Sequence, residues 1–282
     1  MRKLAINSLG DALARGTSSY VEDDDPELVK QAIPFGLKTM EGLLAESPRH
    51  RGLLLAAASG FTQDSYAFVQ SEADYLESAD LQQATAMRAR AARLYRRAMD
   101  YGFRGLEVDH QGFEAALRKS PETAVADMKK KDVPLLYWTA AAWAARISLN
   151  KEDPELSADL RLTETMMKRA LDLDETFGAG AIHDFFITYE GSRPASAGGS
   201  IERARRHMDR ALEISGGKRV APLVSYAEAV LVGEQNRAEF EKMLQQALAL
   251  DPDSAPSERL PNLIAQRRAR WLLSQIDVLF LE

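Results

Sequence analysis

The sequence predicts an all-α fold: an irregular, tetratricopeptide-like helical-hairpin solenoid forming a single elongated domain over residues 1–282. Three observations support this. Leu, Ala, Glu and Arg dominate while Val, Ile and Thr are sparse, which favours helix over strand. No stretch alternates as strand, turn and strand would. Pro and Gly stand where helices should begin and end.

Taken in order, Glu22-Asp23-Asp24-Asp25 reads as a solvated, dipole-favoured helix cap, because it lacks the alternation and glycine of a calcium loop. The DPEL tetrapeptide, at Asp25–Leu28 and again at Asp153–Leu156, offers an Asp N-cap with Pro in the first helical position. Ser120-Pro121-Glu122 reads the same way. Stops are expected at Ser47-Pro48, Gly216-Gly217 and Asp251-Pro252.

Four segments share a pattern: ARLYRRAMDYG (92–102), TMMKRALDLDE (165–175), RRHMDRALEIS (205–215) and EKMLQQALALD (241–251). In each, a large apolar residue is followed three positions later by Ala. Ala98, Ala170, Ala211 and Ala247 are spaced by 72, 41 and 36 residues. The last spacing is near the ~34 of a tetratricopeptide repeat. Small Ala at that point lets paired helices approach closely. Val220–Pro252 fits the repeat best, and EGSRPASAGGS at 190–200 reads as an insertion.

The segment LLYWTAAAWAARISL (135–149) places Leu136, Ala140, Trp143, Ala144 and Ile147 on one helical face. Trp138, Ala142, Ala145 and Leu149 lie opposite. A helix apolar on both sides is expected to be sandwiched between neighbours.

Hydrophobic residues make up 45% and charged residues 28%, as in ordinary folded chains. A net charge of -6 gives no global attraction to nucleic acid or anionic membranes. No run approaches the roughly 20 apolar residues of a bilayer span. Residues 1–16 interrupt their apolar positions with Asn7, Ser8 and Asp11, so no export signal is read there. Cysteine is absent, which removes disulfides, thiol nucleophiles and Cys-based metal sites.

His50, His110, His183 and His207 stand far apart in sequence, and no HExxH, GxSxG, GxGxxG or P-loop motif occurs. A non-enzymatic protein with no cofactor and no metal is expected. Two arginine groups, Arg88 to Arg97 and Arg203 to Arg210, lack the interleaved aromatics of a nucleic-acid platform and read as solvated faces with i,i+4 ion pairs. AIHDFFITYEG (181–191) groups His183, Phe186 and Tyr189 with carboxylates, a mixture found in cores and in mostly apolar ligand cavities.

LLYWTAAAWAARISL and AIHDFFITYEG, read with residues 23–70 and LIAQRRARWLL (263–273), resemble the T component associated with tripartite ATP-independent periplasmic (TRAP) transporters. The resemblance runs from about residue 3 to residue 281. It implies a periplasmic helical protein, a homotrimer and partner of the transporter's substrate-binding P component, with hydrophobic ligands suggested for the family. It also implies a lipid anchor on a cysteine ahead of a stretch like KLAINSLGDALA, where this chain has Met1-Arg2. Candidate cavity-lining residues are chosen by residue type: Tyr66, Phe68, Tyr137, Trp138, Trp143, His183, Phe186 and Tyr189. The expected function is a non-enzymatic TRAP accessory protein that holds the P component and a hydrophobic or carboxylate-bearing small ligand. The alternative is a cytosolic tetratricopeptide-like scaffold binding a peptide in its concave groove.

Overall fold

Pro26, the second residue of the first DPEL, is also the first residue of helix α1 (Pro26–Glu46) in the computed structural model of the chain, which describes residues 18–281. The export-signal and anchor readings of residues 1–16 lie outside the described residues. Those described are all-α, with no strand among them. They fall into two compact units, Glu27–Asp174 and Ser19–Pro26 with the residues from Glu175 onward.

In the first unit α1 stops just before Ser47-Pro48. The Nδ1 of His50 accepts the Leu53 N–H and so caps α2 (Arg51–Asp64). That helix continues through a π-helical turn, Ser65–Gln70, into α3 (Ser71–Leu76), the Ser71 N–H reaching back to the Tyr66 carbonyl. Asp80 caps α4 (Leu81–Leu106) through the Gln83 N–H. Then come α5 (Phe113–Lys119), α6 (Pro121–Ala126) and α7 (Val133–Ser148). Asp153 caps α8 (Pro154–Ala158) by accepting from Glu155 and Leu156, as its DPEL foretold, and α9 (Leu160–Leu173) closes the unit.

The alanines of α7 have a packing reason. Helix α4 lies against α2 and α7, and α7 against α9. At Gly102 the approach is closest: a Cβ there would stand 3.2 Å from the Thr139 Cα and overlap its side chain. Leu136, Ala140, Trp143 and Ile147 are buried on one face, and Ala142 on the other. The expected sandwich is therefore real, although Trp138, Ala145 and Leu149 on the second face are only half-buried. The start of α7 is pinned by Asp132, which is fully buried, accepts the Lys129 N–H and pairs with Arg51 at 3.0 Å and with His110 at 3.2 Å.

The second unit contains α10 (Ala181–Gly191), α11 (Ile201–Ile214) and α12 (Ala221–Tyr226), the last extended by a π-helical turn, Ala227–Leu231. After them follow α13 (Arg237–Ala249), α14 (Arg259–Ser274) and α15 (Ile276–Leu279). Gly216 and Gly217, both at positive φ, end α11 as expected. Met208, Val224, Phe240, Leu244 and Leu272 are central to one apolar core.

The four repeat alanines are each 0% exposed. Each sits on the second helix of a packed pair: Ala98 in α2–α4, Ala170 in α7–α9, Ala211 in α10–α11 and Ala247 in α12–α13. The small side chain is fully enclosed in all four.

Candidate functional site

Three of the eight candidate residues meet in the second unit. His183, Phe186 and Tyr189 lie on α10, which runs antiparallel to α11. His183 Nδ1 is 2.8 Å from His207 Nδ1, and near the other end of the pair Glu190 accepts from Arg203 at 2.7 Å. His207, about as far after Ala195 as His183 is before it, is thereby a register partner of His183. Phe186 stacks on the His207 ring at 4.9 Å between centroids and meets Tyr189 edge-on at 6.2 Å. Tyr189 is covered by Phe185, stacked at 5.6 Å, and by the Arg193 guanidinium, 3.7 Å from its centroid.

The loop at 192–200 holds that cover in place. Arg193 donates to the carbonyls of Tyr189 and Ala197, and Ser200 N–H returns to the Glu190 carbonyl. Gly199 is required there, because a Cβ would run into the Arg193 backbone. The insertion read from the sequence is thus a tight cap over the α10–α11 pair.

Charge surrounds the imidazoles. Glu175 receives two hydrogen bonds from Arg210, at 2.8 and 2.7 Å, which hold its carboxyl down to about 2. Its Oε1 lies 3.3 Å from His183 Nε2, close but off the line of a hydrogen bond. Burial pushes His183 below the usual histidine range, and burial with the neighbouring His183 pushes His207 down to about 4. Next to them, Arg219 is buried and bridges Asp184 and Glu258, while burial raises both carboxyls against the pull of that guanidinium.

The other five candidates belong to the first unit. Trp143 is 0% exposed, with Phe103 edge-on at 5.4 Å and the Arg118 guanidinium 5.1 Å from its ring. Its indole N–H is buried with no acceptor. Tyr137 and Trp138 are half-buried and meet edge to face at 4.9 Å. Phe68 is buried, and Tyr66, in the π turn, is 48% exposed. Just before that turn, Asp64 is buried, and burial raises its carboxyl against the pull of Arg90. A groove of about 510 Å³ lies between α6 and α9, with Glu122, Arg161, Thr165 and Lys168 among its walls and none of the eight candidates.

Residues 22–280 match the family model of the TRAP transporter T-component, TAtT. This chain belongs to that family. An uncharacterized protein of Treponema pallidum (strain Nichols) is 30% identical over 300 residues, covering 100% of this chain and 93% of the relative. As a T-component, the chain is associated with TRAP transport systems. No helix among the described residues of this T-component is long and apolar enough to cross a membrane, and no group of three or more metal-ligating side chains is found among them.

The arginines of the T-component behave partly as expected. Arg96–Asp100, Arg205–Asp209 and Arg206–Glu202 are i,i+4 pairs on exposed helix faces. Arg88, Arg97, Arg203 and Arg210 instead reach carboxylates on other segments: Asp74, Glu41, Glu190 and Glu175. Sequence distance hid the His183–His207 contact and the Arg219 bridge. The signal for the first was the hairpin itself, whose loop at 192–200 sets which residues of α10 and α11 face each other.

Proposed function

We propose that this T-component is a non-enzymatic periplasmic accessory protein of a TRAP-type uptake system. It binds the substrate-binding P component and holds a hydrophobic or carboxylate-bearing small molecule against some of the eight candidate rings. The family match across residues 22–280 carries this reading. The mixture of apolar rings with a few polar tips on α7 and α10 supports the ligand part, since such mixtures line small-molecule cavities. Family resemblance further supports a homotrimer and a lipid-anchored precursor.

The test has two arms. The P component of the same transport system should co-elute with this chain and give saturable binding by calorimetry; no heat and no co-elution would remove the adaptor role. For the ligand, native mass spectrometry with palmitate as probe should show retention by the wild type and at least about tenfold weaker retention by Trp138→Ala or Tyr189→Ala. Paired urea melts separate lining from packing. A stability loss of about 3–5 kcal/mol with unchanged palmitate retention assigns that ring to the core instead.

A further inference from the structure

Two imidazole nitrogens 2.8 Å apart hold one proton between them; with an N–H on each, two donors would point at one another. That is the situation of His183 and His207, which bridge α10 and α11. We infer that this pair is a proton-binding clasp: it closes the α10–α11 hairpin while one Nδ1 is bare and opens it when both Nδ1 atoms carry protons.

The order of protonation follows from the surroundings. Glu175, held by Arg210, lies 3.3 Å from His183 Nε2 and favours a proton on that nitrogen. His183 Nδ1 is then bare and accepts from the His207 Nδ1–H. A first added proton goes to His207 Nε2 and leaves the bridge intact, the charge resting on whichever ring holds the bridging proton. The second has to go to His183 Nδ1, which destroys the bridge. Neither ring can turn aside easily, since His183 is 4% exposed and Phe186 covers one face of His207.

The nearby charges do little to make two imidazolium ions comfortable. Glu175 ahead of α10, and Asp184 and Glu190 on α10, are the carboxylates facing the pair, and each is already engaged by a guanidinium: Arg210, Arg219 and Arg203 respectively. Arg206, on α11, adds repulsion. From α12 the titratable side chain is Tyr226, which lies under Arg205. Both imidazoles sit below their ordinary range in the fold. The unfolded chain therefore binds more protons below about pH 6.5, and the contribution of the pair is complete above that value and lost as pH falls toward 4. The two rings titrate as a coupled unit.

The experiment is a ¹⁵N-imidazole NMR titration of the full chain from pH 7.5 to 3.5, with amide exchange followed in α10 and α11. At pH 7.5 the pair should show one bare and one protonated Nδ1. As pH falls through 4 both Nδ1 should protonate in step with faster opening of residues 181–191 and 201–214. Two variants check the assignment: His207→Phe retains the stack on Phe186, and His183→Gln retains an acceptor without a titrating ring. Each should at least halve the fall in Tm between pH 7.5 and 4.5. Wild-type pH dependence in both variants, or two rings titrating independently near 6.5, overturns the clasp. If neither variant folds at pH 7.5, the wild-type spectrum decides on its own.

Discussion

Helices α7 and α10 both carry rings, and they use them differently. In α7 Trp143 is enclosed by Phe103, the Arg118 guanidinium and the close approach of α4, with its N–H left without an acceptor. In α10 Phe186 lies on an imidazole, and that imidazole shares a proton with a second one beside an Arg–Glu pair. The first ring is held by packing and by a cation whose charge does not change with pH. The second is packed against groups whose charge changes with pH. Aromatic content on a helix thus says little about role until the partners across the interface are known.

The largest expected effect breaks the packing side of this comparison. Trp143→Ala should cost about 3–5 kcal/mol in urea unfolding, because its cavity is walled by helices that cannot collapse into it. The cost should not vary between pH 7.5 and 5, since the charged group over the ring is the always-protonated Arg118. A strongly pH-dependent loss would mean that the two helices are alike after all.

Next comes the buried bridge of the second unit. Arg219→Met leaves Asp184 and Glu258 without their cation, and should destabilise by about 3 kcal/mol at neutral pH. Adding Asp184→Asn should recover part of the loss, which urea melts of the single and double variants will show. Equal stability of the two would mean that the carboxyls are not what the arginine serves.

The smallest effect concerns Glu175, whose carboxyl is held at about 2 by Arg210 and is 40% exposed. A depressed carboxyl contributes stability above its unfolded value near 4.5 and loses it as pH falls through 2. Solvent screening keeps the contribution modest. Glu175→Gln should therefore lower the urea midpoint slightly at pH 7, with the gap to wild type closing as the pH is taken down to 3 and 2. A constant gap would show that the carboxylate charge is not the source.

Much of the fold was legible because its signals are local. The Asp153 cap, the Pro26 start and the Gly216-Gly217 stop are chemical features of a few adjacent residues, and each appears where the sequence placed it. The repeat alanines were legible as buried positions because a small apolar side chain recurs at the same point of four helix segments. The α7 sandwich was only partly foreseen, since Trp138 is half-buried where the helical face alone suggested full enclosure. In the candidate site, His183, Phe186 and Tyr189 were picked out by type. His207 was passed over because the four histidines stand far apart along the chain.

By itself the sequence determined the helical class, most helix ends, the buried repeat alanines and the membership of the T-component family, all of which depend on residue identity or short-range spacing. Tertiary structure alone decided which helix faces which. That choice depends on loop length and antiparallel register, so it brought His183 to His207, Arg219 to Asp184 and Glu258, and Gly102 to Thr139. Charge pairing and proton sharing act only over a few ångströms, and they became readable once α10 had folded back on α11.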